Sequence, residues 1–373
     1  MCMPVLFEEI SASLNLSLVQ VGTIWGIAYL PGLASGFLGG ALSDRIGTKR
    51  TLIILCVAAG ISGASRGLVG GFTGLTITTL FTGFMFTAIS PVVHKICGIW
   101  FSGKRLALAN GFASIGMAAG FMLGSFASAS ILSPWLGGWQ RVLFFYGAIA
   151  VLFGIFWSFT KVNPEEQKVM ESRRRDFSLL KPLVHIAKTR TIWILGLGMI
   201  GFNGCVQGML GYLPLYLRGE GWAGMAADGA LTTFHVCSMA GVLLITFLSD
   251  KLRRRKLILA GAAVIMAAGT GILSIAQGAL VWAAVVIAGF IRDGFMAVFM
   301  TTVIETEGIG AQNAGAAVGF VMIFTATAAL FSPPVGNSLA AISPQLPFAF
   351  WSVLGIVGLS SLLFVRERHR QAG

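Results

Sequence analysis

The sequence predicts an all-α, polytopic membrane protein with about eleven transmembrane helices, on the strength of three observations. The 373 residues are 56% hydrophobic and only 11% charged, with a mean hydropathy of +0.84. A soluble domain carries about a quarter charged residues, so this chain lacks the supply for a wetted surface. The 49 glycines would weaken soluble helices but suit helices that approach closely in lipid. Uncharged runs near 20 residues, or multiples of that length, recur along the chain, and a helix needs about that many to cross the hydrocarbon core. A soluble enzyme, a nucleic-acid binder and a disordered chain are excluded.

In chain order, the first span is the apolar part, 18–42, of an uncharged run. Two spans flank Arg66, with a turn at Gly70-Gly71 between them. One span within 106–140 ends in the loop Ser133-Pro134-Trp135-Leu136-Gly137-Gly138, and 142–160 follows. Beyond a polar stretch come 191–217, 229–249 and the run from Leu257, which breaks near Gln277-Gly278. The next helix passes through Arg292-Asp293 to about Ile304. The run 308–365 is too long for one crossing and is expected to split between Pro333-Pro334 and Pro347.

The basic residues give the sidedness. If the loop Asp44-Arg45-Ile46-Gly47-Thr48-Lys49-Arg50 is cytoplasmic, 22 of the 26 Lys and Arg fall in or beside cytoplasmic segments, C-terminus included. The exceptions are Arg66, Arg141, Arg218 and Arg292. The net charge of +12 therefore sets topology in the bilayer and does not point to a nucleic acid. Five scattered cysteines without a CxxC pair, and only four histidines, offer no metal or disulfide pattern. No cofactor is expected.

An internal repeat has a period of about 205 residues. Ser43-Asp44-Arg45-Ile46 with Lys49-Arg50 recurs as Ser249-Asp250-Lys251-Leu252 with Arg255-Lys256. Asn110-Gly111 recurs as Asn313-Ala314-Gly315. The organisation follows: an N-terminal bundle at 1–160, a hydrophilic cytoplasmic linker at 161–189, and a C-terminal bundle at 190–373. The second half holds six spans and the first five, so twelve are expected of two pseudo-symmetric six-helix bundles. Only the outer third of the first helix, 1–6, is expected here, from a late start or a truncation in preference to a true eleven-helix protein.

Gly40-Ala41-Leu42-Ser43-Asp44-Arg45-Ile46-Gly47-Thr48-Lys49-Arg50 resembles the cytoplasmic loop signature of the major facilitator superfamily. Asp250-Lys251 with Arg253, Arg254 and Arg255 looks like its degenerate second copy, with Thr246 and Arg253 where the two glycines would be. The resemblance implies a secondary transporter that works by alternating access around a central site. It further implies a conformational latch formed by Gly40, Asp44, Arg45, Gly47, Lys49, Arg50, Asp250, Lys251 and Arg254. Asp44 is expected to accept hydrogen bonds from a neighbouring helix N-terminus, and Gly40 and Gly47 to allow a close helix contact and a tight turn. A pure topology anchor is the alternative.

Arg292 lies about 13 residues into its helix, roughly 20 Å at 1.5 Å per residue, so it is near mid-membrane. A charge there faces a cavity or a partner. One reading makes Arg292 an anion-binding residue with Asp293 as its proton-titratable or structural partner; the other makes them a structural ion pair. Asn203 and Gln207 share a helix face, and with mid-helix His235 they are candidate substrate contacts or helix glue. His94 and Lys95 read as anchors, and Arg66 as a residue that snorkels to the outer surface. Glu305 and Glu307 are candidate latch residues.

Some patterns carry no chemistry. Gly196-Leu197-Gly198-Met199-Ile200-Gly201 matches a dinucleotide fingerprint, but it lies inside an apolar helix with no preceding strand. Gly116, Gly120 and Gly124 form a ladder suited to close packing, and Phe121 stands where drug/proton antiporters carry proline. The expected function is transport of a small organic solute, leaning to an organic anion and coupled to protons, by a monomer in the cytoplasmic membrane. A transporter-like sensor or structural protein is the alternative; an enzyme is not expected.

Overall fold

The computed structural model describes residues 1–101, 103–160, 186–252, 254–306 and 309–364, and these are helical without strands. Ten helices among them are long and apolar enough to cross a membrane. The chain forms two compact units, Met1–Phe177 and Ser178–Gly373. The expected linker lies largely outside the described residues.

The first unit opens with α1, Cys2–Leu14, which buries Met3, Val5, Leu6, Phe7 and Ile10. Asn15 closes it in the left-handed conformation (φ 50°), an easy position for asparagine. Ser17 and Gln20 then start α2, Leu18–Ile27, with reciprocal side-chain caps. The expected span at 18–42 is two helices, α2 and α3, Gly32–Ile46. Pro31 explains the interruption, because it lacks an N–H and disfavours the helical region for Leu30 before it. Next come α4, Thr48–Ser65, and α5, Phe72–Trp100, with the predicted turn at Gly70-Gly71 between them. After α6, Gly103–Ala127, the chain does not loop at once: a π-helical turn, Ser128–Leu132, runs into the short α7, Ser133–Leu136. The turn is confined to Gly137 and Gly138, both at positive φ, before α8, Trp139–Ser158.

The second unit is built from α9, Arg190–Gly219; α10, Gly224–Leu252; α11, Arg255–Ile272; α12, Ala279–Ile304; α13, Gly310–Leu339; and α14, Leu346–Leu363. The Gln277-Gly278 break and the end of α12 fall as expected. The last split does not. Helix α13 runs through Pro333 and Pro334, and the break is at residues 340–345. Each proline removes one backbone hydrogen bond, to the carbonyls of Ala329 and Leu330, and neighbouring side chains bond polar groups nearby: Trp351 Nε1 donates to the Ser332 carbonyl and Ser332 Oγ to the Gly204 carbonyl.

The repeat is visible in the packing. Helix α4 lies on α8 as α11 lies on α14, and α3 lies on α5 as α10 lies on α12. Glycines permit these contacts. Side chains at Gly60 and Gly147 would each collide with the other's carbonyl at 2.6 Å. The same holds for Gly289 against the Phe234 carbonyl, and Gly241 lies closer still to the Phe290 carbonyl. The Gly196–Gly201 stretch serves the same end: Gly196 abuts Phe324, Gly198 abuts Leu362 and Gly201 abuts Gly358. By contrast, nothing among the described residues lies within 4 Å of where side chains at Gly116 and Gly120 would begin, while Gly124 meets the backbone of Cys2 at 3.5 Å.

Candidate functional site

Arg292 and Asp293 are the two charged residues of α12 and interrupt it midway. Arg292 Nη1 donates to Asp293 Oδ1 at 2.6 Å, and the two side chains remain 18% and 31% exposed. The Asp293 backbone N–H donates to Ser238 Oγ on α10 at 3.2 Å, which fixes the backbone of the pair against its neighbour. Ser238 can reach because Gly289 and Gly241 bring α10 and α12 into backbone contact. His235, buried one turn before Ser238, meets Phe234 edge-on. Phe295, one turn beyond Arg292, stacks on Phe202 of α9 with ring centroids 3.5 Å apart.

Asn203 and Gln207 are buried on α9, and Asn203 Nδ2 donates to the Thr325 carbonyl of α13 at 2.9 Å. Asn203 is thus engaged in holding two helices together. The structure brings Arg292, Asp293 and Ser238 into contact and places His235 on the same helix as Ser238.

The four basic exceptions separate by what they touch. Arg66 Nε donates to the Gly63 carbonyl at 3.1 Å, and Arg141 Nη1 to the Leu136 carbonyl at 2.7 Å, so both cap nearby helix ends. Arg218 donates to Asp228 Oδ1 at 2.6 Å, with side chains 8% and 0% exposed. This buried pair staples the end of α9 to the start of α10; the sequence offered both charges but no spacing that paired them. Arg292 alone of the four keeps a half-open setting in mid-helix.

The motif loop forms a second cluster, at one end of the first unit. Lys95 Nζ lies 2.7 Å from Asp44 Oδ1 and 2.9 Å from Ser43 Oγ. Asp44 therefore pairs with a lysine in the last two turns of α5 and not with a helix N-terminus, and Lys95 is more than an anchor. A full ammonium charge in direct contact is a stronger partner than the partial charges of a helix end. His94 Nδ1 lies 2.9 Å from Asn110 Oδ1. Gly47 takes φ 91° and makes the tight turn. Gly40 faces open space, and the close contact belongs to Gly39, which abuts the Ala88 carbonyl. Lys49 Nζ donates to the Thr160 carbonyl at 2.7 Å, while Arg45 and Arg50 are exposed.

In the second unit Arg255 Nη2 lies 2.9 Å from Glu305 Oε1, and Lys256 Nζ donates to the Leu363 carbonyl. Glu305 thus has its partner within its own unit. Lys251 and Arg254 are exposed. The side chain of Asp250, together with Arg253 and Glu307, lies outside the described residues.

Comparison with known proteins matches residues 1–315 to the Major Facilitator Superfamily. The chain is similar to the hexuronate transporter of Bacillus subtilis (strain 168), 22% identical over 96% of this chain and 87% of the relative. It is 24% identical to the galacturonate transporter of Dickeya chrysanthemi over 38% of this chain and 41% of that one. Among solved structures it is similar in fold to the nucleoside transporter NupG, with a TM-score of 0.81 at 12% identity over 98% of this chain and 96% of the other. A bacterial homologue of the human lysosomal transporter Spinster gives 0.71 at 16% identity, over 98% and 90%. The signature loop, the repeated helix pairing and these matches agree: the chain belongs to the Major Facilitator Superfamily and is a multi-pass membrane transporter, not an enzyme.

Proposed function

We propose that the chain carries a small organic carboxylate across the cytoplasmic membrane by alternating access, with Arg292 holding the carboxylate and the motif loops facing the cytoplasm. One observation carries this reading: of the four basic exceptions to the charge asymmetry, Arg292 is the one in mid-helix whose side chain is paired yet still partly open. A guanidinium has five N–H donors in a planar fork suited to a carboxylate, and Asp293 takes one of them. Asp293 is the hydrogen-bond partner of Arg292 among the described residues, and the exposed part of the side chain is where a solute would approach. Relatives named for hexuronate, galacturonate and L-galactonate support an acidic solute, because each of these is a carboxylate.

The test is counterflow of D-galacturonate in proteoliposomes, with D-galactose as the uncharged control. Arg292→Lys keeps the charge but loses the fork, and is expected to weaken binding at least tenfold; Arg292→Gln is expected to abolish it. Equal transport of both sugars, or full activity in Arg292→Gln, overturns the assignment.

A further inference from the structure

Resting on that reading, we infer that Asp293 is the proton-coupling residue and works by competing with the substrate carboxylate for Arg292. The geometry is that of an exchangeable pair. Neighbouring residues on a helix point about 100° apart, so Arg292 and Asp293 meet only by leaning toward each other. They meet through one nitrogen and one oxygen at 2.6 Å, with no second hydrogen bond between them and both side chains partly exposed. The Arg218–Asp228 pair, almost wholly enclosed, shows what a fixed pair looks like in the same unit.

Charge balance gives the stoichiometry. The resting pair is neutral. If a carboxylate solute displaced ionised Asp293, two negative charges would face one positive charge in mid-helix, which the surroundings disfavour. A proton taken up on Asp293 removes that excess: Asp293 becomes a neutral acid, Arg292 pairs with the solute, and the site is neutral again. Release of the solute and of the proton restores the internal pair. The expected movement is one proton with each monocarboxylate, without net charge.

The groups around Asp293 leave it this role. Helix α10, packed on α12, carries Asp228, His235, Cys237, Asp250 and Lys251. Asp228 is held by Arg218, and Asp250 and Lys251 lie more than two turns beyond Ser238. Helix α9 carries Arg190, Cys205, Tyr212, Tyr216 and Arg218; α11 carries Arg255 and Lys256 at its first turn; α13 carries no titratable side chain. Asp293 is thus the carboxyl group that shares a helix level, and a hydrogen bond, with Arg292.

The experiment uses the full-length protein in proteoliposomes with D-galacturonate, L-galactonate and 3-(3-hydroxyphenyl)propionate as probes. Wild-type affinity should fall as pH rises, by up to tenfold per pH unit, and an inward proton gradient should drive accumulation that an imposed membrane potential does not change. Asp293→Asn should bind with the same affinity at pH 6 and pH 8 and lose gradient-driven accumulation. Should that variant fold poorly, Asp293→Glu serves in its place and should keep the pH slope. A pH slope that survives in Asp293→Asn, a flat profile in Asp293→Glu, or wild-type uptake that follows the membrane potential overturns the inference while leaving Arg292 as the anion site. Failure of wild-type protein to bind any of the three carboxylates overturns the carboxylate reading itself.

Discussion

Two arginine–aspartate pairs in the second unit have the same 2.6 Å contact and should respond in opposite ways to the same substitution. Arg218→Gln leaves the Asp228 carboxylate, whose side chain is fully enclosed, without its counter-charge. Two unit charges 4 Å apart attract by about 4 kcal/mol at an effective dielectric of 20. Measured losses on breaking a buried pair run to about 3–5 kcal/mol, which agrees. The expected result is a sharp fall in thermal stability and yield, followed by fluorescence-detected size exclusion of heated, detergent-solubilised protein. The double variant Arg218→Met with Asp228→Leu should recover most of the loss, because it removes both desolvation costs together. Arg292→Gln breaks a pair whose members stay 18% and 31% exposed, against 8% and 0% at the other, so the loss should be clearly smaller than at Arg218. Equal stability loss at the two sites would refute this assignment of one pair to structure and the other to function. So would a double variant at Arg218 and Asp228 no better than the single.

Two further outcomes concern the motif loops. Asp44→Asn and Lys95→Gln should each slow transport several-fold at normal protein levels, and the double variant should be no slower than either, since both remove one contact; additive slowing would show separate roles. Cysteines placed at exposed Arg50 and Arg254, in a background without the native five, should resist an impermeant thiol reagent in intact cells, whereas Gln277→Cys should react; labelling at Arg50 from outside would reverse the topology.

Much of the fold was legible because lipid imposes a simple rule: apolar runs of fixed length separated by charge. The turns at Gly70-Gly71 and at Gln277-Gly278 could be read from residues that cannot continue a helix. The misplaced boundaries share a cause. Proline usually ends a helix, yet α13 continues through Pro333 and Pro334, in a stretch where Ser332 is bonded to Trp351 and to the Gly204 carbonyl, partners distant in sequence that no local pattern reveals. Pro31 did interrupt a span that looked continuous by hydropathy alone. At the site, Arg292 and Asp293 were conspicuous as charges in an apolar helix. Ser238 was visible only as a small polar residue near His235, since its role depends on the close approach of α10 and α12. Asn203 shows the opposite limit: the same polar face serves a solute or a neighbouring helix, and only the position of the Thr325 carbonyl decides it.

The second motif copy looks degenerate as a sequence, yet it keeps contacts of the same kinds, and the physics of each explains why. Gly40 faces open space, so the side chain of Thr246 at the equivalent place fits without a clash; its hydroxyl turns back to the Val242 carbonyl at 2.7 Å. The helix-end caps survive intact, with Lys49 on Thr160 and Lys256 on Leu363, because a cap needs only one ammonium and any backbone carbonyl. The loop-to-helix ion pair survives with its polarity reversed: the acid is in the loop for Asp44–Lys95 and on the helix for Glu305–Arg255. An ion pair is indifferent to which element carries which sign, so a residue-by-residue comparison of the halves loses the match while the contact remains. Each ion pair ties its loop to a neighbouring helix of the same unit. Under the alternating-access reading proposed above, bundles that move as rigid bodies would need such a tie at both motif loops, whatever letters spell it.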